Sequence, residues 1–93
     1  MAISVKVRLF GPFYEMCGNR REITLDLIEP ANVDTLLSAM LQRYPDLRNL
    51  LGDEKQRKFT LVMVNNKRAD LDQPVADGDE ICLFSAVMGG QML

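Results

Sequence analysis

The first strands are predicted by an alternation of apolar and polar residues. Residues 3–10 read ISVKVRLF, in which every second side chain from Ile3 to Leu9 is apolar. Residues 22–27, EITLDL, repeat the pattern. Period-two alternation is typical of a strand with one buried face. Gly11-Pro12 breaks the first strand and Pro30 ends the second. The two strands are close enough in sequence to pair as a hairpin, with their apolar faces on one side of a sheet.

The next segment changes to a helical period. Asn32 is the predicted N-cap, Asp34 and Arg43 suit the first and last turns, and Pro45 ends the segment. The spacing i, i+3, i+4, i+7, i+8 and i+11 predicts one apolar helical stripe that packs on the sheet. Its members are Val33, Leu36, Leu37, Met40, Leu41 and Tyr44.

Three further strands are predicted in the second half of the chain, at residues 59–64, 67–69 and 80–85. A short helical turn at 46–51 and a charged loop at 53–58 precede them, and a loop at 70–76 separates the last two. Asn65-Asn66 and Asp77-Gly78-Asp79 are the predicted turns. This order favours an α+β fold of two layers, with one main helix on a mixed sheet. The first and last strands are expected to be parallel neighbours at its centre.

The composition of the chain argues against several classes of function and partner. The 93 residues suit one domain, and 47% hydrophobic content suits a single small core. A net charge of -2 and scattered basic residues argue against a nucleic-acid partner. The opening segment lacks the apolar core of a signal peptide, and no run is long enough to span a membrane, so we expect a cytoplasmic protein with no membrane partner.

Candidate catalytic and metal-ligating residues are few. The chain has no histidine, which excludes His-based metal sites and triads, and Cys17 and Cys82 lack metal-ligand spacing. Neither cysteine is assigned a role. We expect no metal and no cofactor bound by the chain itself.

The C-terminal segment SAVMGGQML is the most informative part of the sequence. We assign residues 1–86 to the folded domain and 87–93 to a flexible tail. The five residues from Ala86 to Gly90 span roughly 16 Å when extended, enough to enter another protein's active site. Glycines let a backbone pass through a narrow channel. Phe84 is predicted to lie on the uncovered side of the sheet as a partner anchor, or to be shielded there by a loop.

These motifs together resemble one family. The segments VRLF at the start, NVDTLL at the helix, VMVNN in the third strand, VADGDEI before the last strand and FSAVMGG at the end are similar to the ubiquitin-like sulfur carriers of the MoaD/ThiS type. That family includes the small subunit of molybdopterin synthase. The resemblance covers nearly the whole chain and implies a ubiquitin-like β-grasp fold, with four or five strands and one main helix.

The resemblance also implies a function. A ubiquitin-activating-like enzyme uses ATP to adenylate the terminal glycine, matched here by Gly90, and sulfur transfer converts it to a thiocarboxylate. The sulfur is then given to an acceptor, such as a pterin precursor held by the larger synthase subunit. Gly89 and Gly90 are the threaded pair, and Phe84, Val87 and Met88 are the expected partner contacts. No phosphate-binding loop or base near the tail is found, so activation falls to a separate enzyme.

The extension Gln91-Met92-Leu93 departs from the simplest family members, which end at the second glycine. We expect a peptidase to cut after Gly90 before activation. Two alternatives remain open. The tail could be joined to lysines as a protein modifier, or the domain could be an interaction module without carrier chemistry, which needs no free Gly90.

Overall fold

The computed structural model describes residues 1–85 in full and the backbone of residues 87–88 and 91–92. Its centre is a mixed five-stranded sheet. Its strands are β1 (Ala2–Leu9), β2 (Glu22–Ile28), β4 (Thr60–Val64), β5 (Lys67–Ala69) and β7 (Glu80–Ser85), and they lie in the order β2-β1-β7-β4-β5. Two short pairings are formed by β3 (Ala31–Asn32) with β6 (Pro74–Val75) and by β8 (Val87–Met88) with β9 (Gln91–Met92).

One main helix, α2 (Val33–Arg43), packs on the sheet. Its start is fixed by a capping box, in which the Asn32 side chain accepts from the Thr35 N–H and the Thr35 hydroxyl accepts from the Asn32 N–H, each at 2.9 Å. The shorter helical segments are α1 (Pro12–Met16), a 3₁₀ turn (Pro45–Leu47), α3 (Arg48–Leu51) and α4 (Glu54–Lys58). No helix in the described part of the chain is long and apolar enough to cross a membrane.

The strand pairing confirms the predicted topology. β1 and β2 form the antiparallel hairpin, with Val5 opposite Leu25. β1 and β7 are parallel neighbours at the centre of the sheet, with Val7 opposite Ile81. This register puts the apolar face of each strand on the side of α2.

The core lies between α2 and one face of the sheet. The predicted alternation holds there: β1 contributes four buried apolar side chains, at Ile3 and every second residue to Leu9. In the helical stripe, Leu41 and Tyr44 are only partly buried and pack against the outside of the core. The core members on the other elements are Phe13, Cys17, Ile23, Leu25, Leu27, Ala31, Val33, Leu36, Leu37, Met40, Leu47, Leu51, Val62, Val64, Val75, Ile81 and Leu83.

The Asp77-Gly78-Asp79 turn fixes where β7 begins. Asp79 accepts two hydrogen bonds, one from the Asn65 side-chain amide at 2.9 Å and one from the Ala76 N–H at 2.8 Å. Asp77 accepts from the Ser4 N–H at 2.8 Å, which joins the turn to β1. Gly78 has φ of +85°, a conformation that favours glycine. This segment therefore holds β7 between its two neighbours.

Two local predictions were wrong. The charged segment predicted as a loop contains the helix α4, because Asp53 accepts from the Gln56 N–H at 2.8 Å and the Gln56 side chain accepts from the Asp53 N–H at 3.2 Å. The spacing of Asp53 and Gln56 is typical of a capping box. It was overlooked because the charged residues around it are also typical of a loop. The loop predicted at 70–76 contains the short strand β6, which pairs with β3.

Candidate functional site

The face of the sheet opposite α2 carries an apolar patch at the end of the last central strand. Phe84 lies on β7 and stacks on Phe10, which follows β1, with ring centroids 4.4 Å apart and an interplanar angle of 11°. Leu61 is opposite Phe84 in the β4–β7 ladder, and Met63 is opposite Cys82. We call Phe10, Leu61, Met63 and Phe84 the open-face patch.

The patch is partly open to solvent. Phe10 is 41% exposed, while Phe84, Leu61 and Met63 are half-buried. Phe84 lies on the uncovered side, as predicted, where the ring of Phe10 stacks on it. A stacked aromatic pair of this kind offers a large apolar contact area with little side-chain entropy to lose on binding.

Charged side chains flank the patch on the β1 side. The Arg8 guanidinium lies 3.6 Å from the Glu22 carboxylate and 4.0 Å from that of Glu80. Beside it, a cleft of about 700 Å³ has Phe10, Tyr14 and Arg21 among its lining residues. The patch therefore combines an apolar centre with a polar rim, which is the usual anatomy of a protein interface.

The patch ends where the predicted tail begins. β7 runs through the middle of the sheet and ends at Ser85, the residue after Phe84. Val87 and Met88 form the backbone of β8, and Gln91 and Met92 that of β9, but their side chains lie outside the described residues. Gly89, Gly90 and Leu93 also lie outside the described residues, as does the predicted boundary of the folded domain at residue 86.

Sequence reasoning found Phe84 but missed the other three members of the open-face patch. The signals were present in the sequence. Phe10 falls at an even-numbered position, like the solvent-facing residues of the first strand. The third predicted strand, at residues 59–64, is apolar on both faces except at Thr60. An apolar residue on a face expected to be polar is a sign of a contact surface.

The two cysteines lie in different environments. Cys17 is buried in the core, whereas Cys82 is half-buried between the ladder positions of Arg8 and Met63. Burial raises the pKa of the Cys17 thiol, and the Arg43 guanidinium opposes this in part. A buried thiol with a raised pKa is a poor nucleophile at neutral pH. Among residues 1–85 no cluster of three His, Cys, Asp or Glu side chains is arranged to hold a metal ion.

The architecture defines the class of protein: it is a ubiquitin-like β-grasp domain, with a mixed sheet, one principal helix and a C-terminal segment that leaves from the central strand. The ThiS family model matches residues 7–90, which is most of the chain. The chain belongs to the ThiS family, the MoaD/ThiS type of ubiquitin-like sulfur carriers.

Individual relatives agree with this assignment. The molybdopterin synthase sulfur carrier subunit of Mycobacterium tuberculosis is 32% identical over 88 residues, covering 95% of this chain and 99% of that protein. Small archaeal modifier protein 1 of Haloferax volcanii is 32% identical over 85 residues, covering 89% and 97%. A crystal structure of the same modifier, SAMP1, superimposes with a TM-score of 0.79 at 29% identity and covers 94% and 99%.

A third relative is found in a protein complex. In the structure of subunits 1 and 2 of a molybdopterin-converting factor from Helicobacter pylori, the matching chain is 31% identical and superimposes with a TM-score of 0.56. The match covers 95% of this chain and 100% of that one. The similar chains thus include a sulfur carrier subunit, a modifier and a subunit of a complex.

Proposed function

We propose that this chain is a sulfur carrier that transports sulfur as a thiocarboxylate on Gly90. The observation that carries the proposal is the extent of the family match, which begins in β1 and stops at the second glycine. A match that ends at Gly90 supports this residue as the functional terminus. It also supports cleavage of the Gly90–Gln91 bond before the carrier is used.

The proposed chemistry begins at the Gly90 carboxylate that this hydrolysis releases. A free carboxylate is a poor acyl donor, so a separate adenylating enzyme joins it to the α-phosphate of ATP and releases pyrophosphate. A persulfide sulfur from a donor protein then displaces AMP and forms an acyl disulfide. Reduction of its sulfur–sulfur bond by a thiol leaves the thiocarboxylate. The carrier supplies no catalytic group in these steps and holds no ATP of its own.

The fold supports this role through the position of the open-face patch. Because Phe84 is followed within six residues by Gly90, a partner that binds the patch also receives the tail. The extended distance from Ser85 to Gly90 is roughly 16 Å, long enough to reach a recessed active site. We assign the patch, with Val87 and Met88, to contacts with the adenylating enzyme and a larger synthase subunit.

The acceptor that we favour is a pterin precursor, with this chain as the small subunit of molybdopterin synthase in the cytoplasm. The support is the similarity to the Mycobacterium tuberculosis sulfur carrier subunit and to a chain of the Helicobacter pylori complex. A second function, attachment of the tail to lysines as a protein modifier, is favoured by the equal identity to small archaeal modifier protein 1. Both functions use the same activated Gly90.

The test begins with the intact mass of the protein isolated from its native cells. We expect loss of residues 91–93 and a fraction of molecules in which sulfur replaces one oxygen. Since oxidation of any of the five methionines left after loss of residues 91–93 gives nearly the same mass, the species must also react with iodoacetamide in a chain in which Cys17 and Cys82 are changed to Ser. Isopeptide-linked conjugates without the sulfur species would favour the modifier function.

A pair of variants separates carrier from interaction module. Deletion of Gly89-Gly90 is expected to abolish sulfur loading while leaving the domain folded, whereas Phe84→Ala lowers the rate of loading at low enzyme concentration. The opposite ranking, with Phe84→Ala the more damaging change in cells, would overturn the carrier proposal. A chain that keeps residues 91–93 under all growth conditions would also contradict it.

A further inference from the structure

The outer strand β2 is a long sheet edge, and most of its outward backbone groups have no partner within residues 1–85. Its ladder with β1 uses the odd-numbered residues, because the Leu9 N–H donates to the Arg21 carbonyl at one end and the Glu29 N–H donates to the Met1 carbonyl at the other. The amides and carbonyls of the even-numbered residues therefore point away from the sheet. An unpaired edge of this kind can accept an added strand.

One outward backbone group of this edge already has a hydrogen-bond partner. The Arg43 side chain, from the last turn of α2, donates to the Thr24 carbonyl at 2.8 Å. The carbonyls and N–H groups of Asp26 and Ile28 have no such cover among residues 1–85. The opposite edge of the sheet, β5, is only three residues long and begins Lys67-Arg68, so it is a poor template for pairing.

A groove lies beside the uncovered segment. Its volume is about 280 Å³, and it runs between the end of β2 and the side of α2. The helix lines it mainly with short side chains, from Thr35, Ser38 and Ala39. On the strand side, Leu27 points towards α2 and Ile28 towards the open face, where Ile28 is 78% exposed. A strand added here would direct the side chain opposite Leu27 into the groove.

The charge of the edge indicates the kind of segment that fits. The carboxylates of Asp26 and Glu29 form no ion pair within the described residues. In an added strand, the residue opposite Asp26 shares its face of the sheet, where opposite charges attract. A lysine or arginine at that position gives charge complementarity.

We propose that the Asp26–Ile28 edge binds an extended segment of a partner protein by strand addition, with a basic residue opposite Asp26 and a small apolar residue in the groove. The backbone of Asp26 and Ile28 supplies the hydrogen bonds, and the groove selects the side chain. This surface lies on the outer strand, apart from the open-face patch, and does not depend on sulfur chemistry.

A second copy of the chain fits the edge less well. Symmetric antiparallel pairing through the uncovered groups puts the twofold axis at Asp26, Leu27 or Ile28. The Asp26 carboxylate then lies opposite itself, Ile28 or Pro30. None of these supplies a cation, so each register leaves the Asp26 carboxylate without an opposite charge across the new pairing. A basic segment from another protein avoids this cost.

The test uses a synthetic peptide of alternating Lys and Val and a matched peptide in which Glu replaces every Lys. Each is titrated into the ¹⁵N-labelled full chain and followed by amide chemical shifts. The Lys peptide is expected to shift the amides of Asp26 and Ile28 and to slow their exchange with solvent. It should bind roughly fivefold more tightly than the Glu peptide, the size of effect expected when cross-strand attraction replaces repulsion.

Two matched pairs of variants complete the test. Ile28→Pro removes the outward N–H and should abolish peptide binding, whereas Ile28→Ala keeps the N–H and should retain most of it. Asp26→Lys should invert the preference between the two peptides, whereas Asp72→Lys, at an exposed carboxylate outside the groove, should not. The charge inversion remains informative if the proline variant fails to fold.

Other outcomes would overturn the proposal. Equal responses to the two peptides, absence of binding, or shifts confined to the open-face patch would each contradict strand addition at β2. Sedimentation at the same protein concentrations measures whether the chain forms a dimer. A dimer that dissociates in Ile28→Pro would make a second copy of the chain the occupant of this edge.

Discussion

The two faces of the sheet differ although the same strands build both. On the side of α2, the β7 residues Ile81 and Leu83 are completely buried, whereas their neighbours Cys82 and Phe84 on the other side are only half-buried. The covered face is continuous and apolar. The open face has an apolar patch at one end and the charged group of Arg8, Glu22 and Glu80 beside it.

The comparison separates stability from recognition. Burial against α2 excludes water from the covered face, and loss of a side chain there leaves a cavity. On the open face, less apolar surface is removed from water in the isolated chain than on the covered face. The apolar surface that stays exposed there is available to a partner. Neighbouring residues on one strand should therefore respond differently to the same truncation.

Leu83→Ala should have the largest effect on stability. Removal of this fully buried side chain is expected to cost about 3 kcal/mol and lower the Tm by roughly 15 °C. Phe84→Ala, one residue along, should cost about 1 kcal/mol through loss of the ring stack. Thermal unfolding followed by circular dichroism measures both. Equal losses would mean that the two faces are not distinct in their contribution to folding.

For partner binding, in contrast to stability, truncation of Phe84 should have a larger effect than truncation of Leu83. Phe84→Ala is expected to weaken binding to the larger synthase subunit that we propose as a partner by about thirtyfold, the effect of removing an interface anchor. Leu61→Ala, opposite Phe84, tests the rest of the patch, and Thr24→Ala on the same face but on the outer strand serves as the control. Calorimetric titration gives the constants. If Thr24→Ala weakened binding as much as Phe84→Ala, the patch would not be the anchor.

A smaller effect is expected at the turn that sets the register of β7. Asp79→Ala removes the acceptor of two hydrogen bonds and should lower the free energy of unfolding by about 1.5 kcal/mol. Asp77→Ala, in the same turn, removes the acceptor of one bond and should cost less. Urea denaturation compares the two variants. A larger loss at Asp77 would show that its bond to β1 is the more important one.

The smallest effect on stability is expected from the ionisation of Cys17. Because burial raises the pKa of Cys17 in the folded state, its contribution to stability is full below the unfolded pKa and is lost as the pH rises towards the raised folded value. Tm should therefore fall more between about pH 8 and pH 10 in the wild type than in Cys17→Ala.

Thiol alkylation provides a second measure of the same contrast. Cys82, half-buried on the open face, should react with iodoacetamide before the buried Cys17. The single variants Cys17→Ser and Cys82→Ser assign the two phases. Faster alkylation of Cys17 in the folded chain would contradict its burial.

Most of the fold could be predicted because its signals are local. The alternation around Val5 and Leu25 gave the hairpin, and the stripe from Val33 to Met40 gave the helix. The helix α4 was missed because its capping signal, from Asp53 to Gln56, lies in a run of charges that is also typical of loops. The short pairing of β3 with β6 was missed because it joins residues far apart in sequence.

The candidate site was predictable only in part. Phe84 and the Gly-Gly motif are visible in the sequence, but the pairing of Phe84 with Phe10 is not, because it requires β1 and β7 to be neighbours in one register. The groove beside Asp26 likewise depends on how α2 lies along β2. Neither arrangement has a local signature.

The sequence by itself determined the alternation of buried and exposed positions, the helix boundaries set by Asn32 and Pro45, and the family motifs that end at Gly90. These depend on side-chain periodicity and capping, which act over a few residues. Only the tertiary structure decided which apolar residues meet on the open face and which backbone groups stay unpaired at the edge of β2. Both follow from strand order, because a residue's neighbours across a sheet are chosen by the packing of the whole chain.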